Sequence, residues 1–334
     1  MYNVAIVGFG YWGPNIARNF SVHPECTVKY ICDTDADARA RIAREHPHCE
    51  VLDAPEIIFS DDSVDIVAIV TPVSAHYSLA KRALEANKHV FVEKPLVETL
   101  SQAIDLVNIA KTNNVVCAVD HTYLYTSAVR KIKEIVNSGD IGEITYFDSV
   151  RVNLGLFQHD VNVIWDLAPH DLSILFHITD ERPISVSANG VDHMDNGLVD
   201  VAYLTLNYAH KMIANFHVNW LSPIKVRRIL IGGTKKMIVF DDMEPSEKVR
   251  IYDKGVEATQ PAAIRHLLYQ YRSGDMFAPA LSNDEALQLE IKSFVDQIES
   301  RDGKACNTLV HGKEVVEILE ASDRSLATDG RVLL

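Results

Sequence analysis

The 334-residue chain reads as an α/β protein. An N-terminal Rossmann-type, doubly wound parallel sheet precedes a C-terminal α+β portion with a large, open, mainly antiparallel sheet. Three observations predict this. Apolar strand-like runs alternate with helix-period segments through the first third, as parallel sheets require. A glycine-rich turn joins the first run to the first helix. After about residue 120 the pattern changes: Met212, Ala214, Phe216, Val218 and Trp220 alternate with Asn215, His217 and Asn219, the mark of a strand with one buried face.

Val4 to Val7 forms a buried strand. Gly8, Gly10 and Gly13 follow at G-x-G-x-x-G spacing, and Ile16, Ala17 and Phe20 continue with helical period. The glycines supply a tight turn, room for a pyrophosphate against bare backbone, and close packing of helix on strand. The helix N-terminus offers N–H groups and a positive dipole end to phosphates, and Pro14 suits its first turn. The turn Gly8, Phe9, Gly10, Tyr11, Trp12 and Gly13 is therefore the expected dinucleotide cradle. Asp33 ends the run from Val28 to Cys32, 20 residues after Gly13. A carboxylate there accepts ribose hydroxyls and repels a 2′-phosphate. No Arg follows directly, so NAD is favoured over NADP.

Further along, Ala36 to Glu45 is a helix, Ile66 to Val70 a strand ending at Thr71-Pro72, and Ala75 to Ala86 a helix. Val90 to Val92 is a strand ending in Glu93-Lys94-Pro95. Thr99 and Gln102 form a capping box before the helix Leu100 to Lys111. Val115 to Val119 is the last strand. Ligands sit beyond strand carboxyl ends in such sheets, so one cleft collects Gly8, Asp33, Thr71 and Glu93 to Pro95.

The expected division is 1–120 for cofactor and 121–334 for substrate and oligomerisation, with a C-terminal helix packing back on the first domain. Ala128 to Asn137 is a helix closed by Gly139. Val199 to Tyr208 pairs with the 212–220 strand as a hairpin. Ile184 to Ala188, Val226 to Ile231, Met237 to Phe240 and Val249 to Tyr252 extend the sheet, and Asp284 to Ser300 and Glu314 to Ala327 are closing helices. Asp253 to Asn283 gives no readable period. The open sheet face needs cover, which a second copy supplies; a homodimer or homotetramer is expected.

The net charge of −14 with no long basic run speaks against nucleic acid and anionic membrane as partners. Five scattered cysteines without a C-x-x-C pair suit a reducing compartment. No signal-peptide pattern and no bilayer-length apolar run is present, so a cytoplasmic protein is expected. His46-Pro-His48-Cys49 lacks a second ligand cluster, and no metal is expected.

Two segments carry chemistry. Lys94, at a strand end bordering the nicotinamide, can bond a hydroxyl and stabilise charge developing on it; a lone Lys-Pro in a loop is the plainer alternative. Asp166 and His170 are four apart and share a helical face. Histidine is the natural acid–base near neutral pH, and a carboxylate can hold its tautomer. Pro169 falls between them, so the helix is expected to begin near it. An Asp166 N-cap with a core histidine is the alternative reading.

Val4 to Arg18, Thr71-Pro72 with His76, Glu93-Lys94-Pro95, and Asp166 with His170 together resemble the Gfo/Idh/MocA oxidoreductase family. The resemblance covers nearly the whole chain. The Gly-Tyr-Trp-Gly-Pro-Asn turn and the Trp165-Asp-Leu-Ala-Pro-His-Asp171 run resemble a branch acting in nucleotide-sugar and polysaccharide biosynthesis, such as UDP-N-acetylglucosaminuronate 3-dehydrogenases. One departure is Asn162-Val163, where many relatives carry Gly-Gly.

The resemblance implies an NAD-dependent dehydrogenase or ketoreductase acting on a sugar or nucleotide sugar. His170 takes the hydroxyl proton, Lys94 binds the same oxygen, and Asp166 supports the site. Thr71, Pro72 and His76 line the nicotinamide side. Substrate-side candidates are His121, Tyr123, Arg151, Asn153, Gln158, His159 and Trp165. A free cyclitol or aldose substrate, or a non-catalytic NAD or sugar sensor, are the competing readings.

Overall fold

The computed structural model describes residues 1–155, 158, 160–258, 269–300 and 305–334, with the backbone alone at 256–258 and 269–271. His159 and residues 259–268 of the unassigned stretch lie outside the described residues. Two compact units emerge: Met1–Thr126 with Asp284–Glu320, and Ser127–Asn283 with Ala321–Leu334. Among the described residues, no helix is long and apolar enough to cross a membrane.

The first unit carries a parallel six-stranded sheet in the order β3-β2-β1-β4-β5-β6. Its strands are β1 (Tyr2–Val7), β2 (Cys26–Cys32), β3 (Glu50–Leu52), β4 (Ile66–Ile69), β5 (His89–Val92) and β6 (Cys117–Val119). The strand order reverses at β1 and β4, the place where doubly wound sheets open a ligand crevice. Helices α1 (Gly13–Val22), α2 (Ala36–Glu45), α3 (Glu56–Ser60), α4 (Val73–Glu85) and α5 (Leu100–Asn113) connect the strands. β3 and α3 escape sequence reading because three and five residues are too few to show a period.

The capping box before α5 is modified. Thr99 Oγ1 accepts the Gln102 N–H (3.2 Å), but Gln102 Oε1 accepts from Glu98 rather than from Thr99 (3.2 Å). The chain returns to this unit as α8 (Ala286–Ser300), which buries Leu287, Ile291, Phe294 and Val295 in the same core as Ile6, Phe20 and Phe91. Phe20, Phe91 and Phe294 meet edge to face at 5.9 and 5.6 Å between centroids. The first part of α9 (Leu309–Thr328) completes the unit.

The second unit opens with α6 (Ser127–Asn137), after which Gly139 adopts φ +72°. Its nine-stranded sheet contains β7 (Ile144–Leu154), β8 (Pro183–Val191), β9 (Val201–Tyr208), β10 (Ile213–Asn219), β11 (Leu221–Gly233), β12 (Met237–Asp241), β13 (Val249–Ala258), β14 (Tyr269–Phe277) and β15 (Val332–Leu333). The order is β14-β13-β12-β11-β7-β10-β9-β8-β15. β7 and β10 run parallel; the other pairs are antiparallel. The sheet is thus open and mainly antiparallel, and the 9/10 hairpin pairs Phe216 with Leu204.

α7 (Val163–Ile178) packs on one face of this sheet, against β7, β9 and β10. The opposite face is mixed. Tyr203 stacks on His217 (4.3 Å between rings), Asn215 bonds Asp148 (2.9 Å), and Ile213 is exposed.

Candidate active site

In the first unit the three glycines of the turn answer to different constraints. Gly8 has φ +98°, and a Cβ there would lie 2.3 Å from the Val70 carbonyl oxygen. At Gly13 it would lie 2.9 Å from the Gly8 oxygen. At Gly10 it would meet no protein atom within 4 Å. Gly8 and Gly13 are therefore required by the fold, whereas the space over Gly10 is open to a ligand. The N-cap Trp12 makes no side-chain capping bond to α1, which leaves those N–H groups open to an anion.

The Asp33 carboxylate stands at the end of β2, held by the Phe9 N–H (2.6 Å) and the Asp35 N–H (2.8 Å). Thr71 Oγ1, at the end of β4, is buried without a hydrogen-bond partner among the described residues. An open glycine cradle, a bare helix N-terminus, a fixed carboxylate and an orphaned hydroxyl at adjoining strand ends fit a dinucleotide. The Phe9 ring is fully buried, so only its main chain can serve a ligand. Tyr11 is 91% exposed. Trp12 donates Nε1–H to Asp120 (2.9 Å).

His76, expected on the nicotinamide side, sits behind the strand end. It is 1% exposed, and its ring nitrogens lie 2.9 Å from the Pro95 oxygen and 2.8 Å from the Thr71 oxygen. It ties the end of β4 to the Glu93-Lys94-Pro95 turn, where the Lys94–Pro95 peptide is cis. Glu93 accepts the Lys94 N–H (2.8 Å) and bonds Asp120. Glu290 of α8 also bonds Asp120, and accepts from the His121 N–H (2.8 Å) and from Asn307 (2.9 Å). Burial, then the neighbouring Asp120, raises Glu93 and Glu290 well above the usual carboxylate range. Asp120 thus links the Trp12 of the glycine turn to the Lys94 backbone through Glu93.

In the second unit α7 begins at Val163, six residues before Pro169, which corrects the expected start. Asn162 is the N-cap: its Oδ1 accepts from Ile164 (3.0 Å) and Trp165 (3.3 Å), so Asp166 is not the cap. The Asn162-Val163 departure is thereby the helix start itself. Along α7 only Asp166, Leu167, His170 and His177 are not buried, so Asp166 and His170 share one stripe. Trp220 donates Nε1–H to Asp166 Oδ2 (2.9 Å) and orients that carboxylate.

Two substrate-side candidates are buried and tied to carboxylates. Arg151 is 3% exposed and pairs bidentately with Asp171 (2.9 and 2.6 Å), which also accepts from Ser149 (2.7 Å). A guanidinium so committed is not offered to a diphosphate. Trp165 is buried and donates to Asp323 (2.7 Å), which also receives Asn162 (2.9 Å). Asn153 and Gln158 are half-buried, as is Tyr123 in the 3₁₀ turn Thr122–Tyr125. His121 is 1% exposed and so lies behind the surface a substrate meets.

Sequence reading missed Asp120, Glu290, Trp220, Arg39 and Arg41. Asp120 carries a usable signal, being the first polar residue after β6, as Asp33 is after β2. Arg39 reaches the carbonyls of Asp33 (3.0 Å) and Thr34 (2.8 Å), and Arg41 that of Phe9. Both come from α2, too far along the chain for the spacing rule. Among the described residues, no three His, Cys, Asp or Glu side chains are arranged to hold a metal ion.

A doubly wound sheet with this turn, carboxylate and strand-end lysine defines the class of dinucleotide-binding oxidoreductases. A family model described as an oxidoreductase family with NAD-binding Rossmann fold matches residues 2–121, and the GFO/IDH/MocA C-terminal domain matches 129–239. The chain belongs to the Gfo/Idh/MocA oxidoreductase family. It is 26% identical over 317 residues to a UDP-N-acetylglucosamine 3-dehydrogenase of Acidithiobacillus ferrooxidans, covering 93% of each chain. It is 28% identical over 262 residues to the uncharacterized oxidoreductase YdgJ of Escherichia coli, covering 73% of this chain and 72% of that one. The fold is that of GenD2 from gentamicin A biosynthesis, solved in complex with NAD, at a TM-score of 0.84, 21% identity and coverage of 100% and 96%.

Proposed function

We propose that this oxidoreductase moves a hydride between a nicotinamide and a carbinol carbon of a sugar, and that the sugar carries a nucleotide. The observation that carries the reading is Lys94 at the carboxyl edge of the Rossmann sheet. It is locked through its backbone into the network that also holds the glycine turn. The match to a UDP-N-acetylglucosamine 3-dehydrogenase over 93% of both chains supports the nucleotide sugar.

Gly10, Asp33 and Thr71 would hold the dinucleotide, and the fixed Asp33 carboxylate favours NAD over NADP. The bound cofactor supplies the hydride acceptor or donor. Lys94 donates a hydrogen bond to the reacting oxygen and stabilises negative charge as it develops there. His170 takes that oxygen's proton during oxidation and returns it during reduction. Asp166, oriented by Trp220, stabilises the imidazolium so formed. A second copy of the chain covers the open sheet face.

The test is NADH formation on a panel of UDP- and dTDP-sugars, free cyclitols and aldoses. Turnover on UDP-linked N-acetylhexosamines or their uronates, with thermal protection by UDP alone, is the expected result. Turnover confined to free cyclitols would replace the substrate class. Cofactor binding with no turnover on any member would favour a sensor.

A further inference from the structure

The first unit holds a buried imidazole that the proposed reaction leaves unused. His121 follows β6, and its main-chain N–H is fixed by Glu290 (2.8 Å). Among the described residues, neither ring nitrogen has a hydrogen-bond partner. The ring meets His311 of α9 edge to face, 5.4 Å between centroids. Gly312 permits that approach: a Cβ there would lie 2.5 Å from Val119 Cγ2 and 3.3 Å from Leu96 Cδ2. The first turn of α9 thus lies on the end of β6 and on the segment after Pro95.

Lys94 lies within electrostatic reach of the His121 ring. Val92 of β5 is the register partner of Val119 of β6. Lys94 and His121 are each two residues beyond that pair, at neighbouring strand ends. The step before them, Glu93 beside Asp120, is already joined by a carboxyl–carboxyl bond. The charged and titratable groups that act on the ring are His311 from α9, in ring contact, and Lys94 from the β5 end, with Glu290 of α8 at its backbone. Burial, His311 and Lys94, in that order, hold the imidazole neutral.

A buried polar group without a partner is costly, and phenylalanine would occupy the same place without that cost. Such groups persist where they serve a role. We propose that His121 is a positioning residue for Lys94. In the NAD complex its neutral ring accepts a hydrogen bond from the Lys94 ammonium, directly or through one water, and so fixes where that ammonium points. The proposal rests on the oxidoreductase reading above.

The test compares the full-length wild type with His121→Phe and His121→Gln. Phenylalanine keeps the shape and removes both nitrogens; glutamine restores an acceptor. The expected result for His121→Phe is a melting midpoint at or above that of the wild type and unchanged NAD affinity. Its kcat falls by about tenfold or more, as misplacement of a reacting group does. His121→Gln recovers part of that loss. Equal kcat in wild type and His121→Phe overturns the proposal. A midpoint that falls together with kcat, without recovery in His121→Gln, makes the ring a packing element and overturns it too. Wild-type turnover in the same assay reads the underlying function separately. If the wild type turns over no sugar, ¹⁵N-histidine NMR with NAD present decides. Lys94→Met must then move the unprotonated nitrogen resonance of His121, and an unmoved resonance contradicts the assignment.

Discussion

Gly10 is the residue at which fold and ligand separate most cleanly. A methyl group there touches no protein atom, but it would occupy the space a pyrophosphate needs. Gly10→Ala should therefore melt like the wild type without NAD, while NAD affinity falls by about 1.4 kcal/mol or more, a factor of ten. Gly8→Ala should do the reverse. Its positive φ and the 2.3 Å approach to Val70 cost about 1–3 kcal/mol of stability, read by thermal denaturation. His177 gives a pH signature. Burial, then Lys133, lowers it from 6.5 to about 4, so it is neutral in the folded chain while the unfolded chain takes up a proton below 6.5. Its contribution is complete above 6.5 and is lost as pH falls towards 4. His76 and His121 are displaced in the same direction; Glu93 and Glu290, displaced upward, act with the opposite sign. His177→Phe should flatten the fall in melting midpoint between pH 6.5 and 4, and an unchanged slope would contradict the assignment.

At the scale of elements, legibility follows burial pattern. β4 is apolar throughout, β1 is apolar from Val4 to Val7, and α2 has a clear cap at Asp35, so their positions are readable. β7 is not, because its inward face carries Ser149 and Arg151, polar residues made tolerable by Asp171 on α7. Alternation of polarity no longer marks the buried side when an ion pair sits in it. α7 starts earlier than Pro169 suggests, because the Asn162 side chain already begins the helix. The spacing of Asp166 and His170 predicts that they share a helical face, as they do on α7; their roles come from the resemblance. The residues that orient them are not legible from spacing, because Trp220 lies 54 positions away along the chain. The same holds for the acids behind Lys94, where Glu290 reaches Asp120 from a helix that joins the first unit late in the sequence.

At the scale of the whole molecule, the dinucleotide cradle and Lys94 belong to the first unit, and Asp166 and His170 to the second. The second unit also leaves one sheet face with Tyr203 and Ile213 exposed. A second copy covering that face predicts a dimer or tetramer by sedimentation, dissociated by Tyr203→Glu; a monomer at all concentrations would contradict this. The most direct measurement is the rate of NADH formation on the preferred nucleotide sugar for the wild type, Lys94→Ala and His170→Ala, with NAD affinity determined in parallel. Loss of kcat by about a hundredfold or more in each variant, with NAD still bound by both, is the predicted result. Wild-type turnover in either variant would contradict the assigned chemistry.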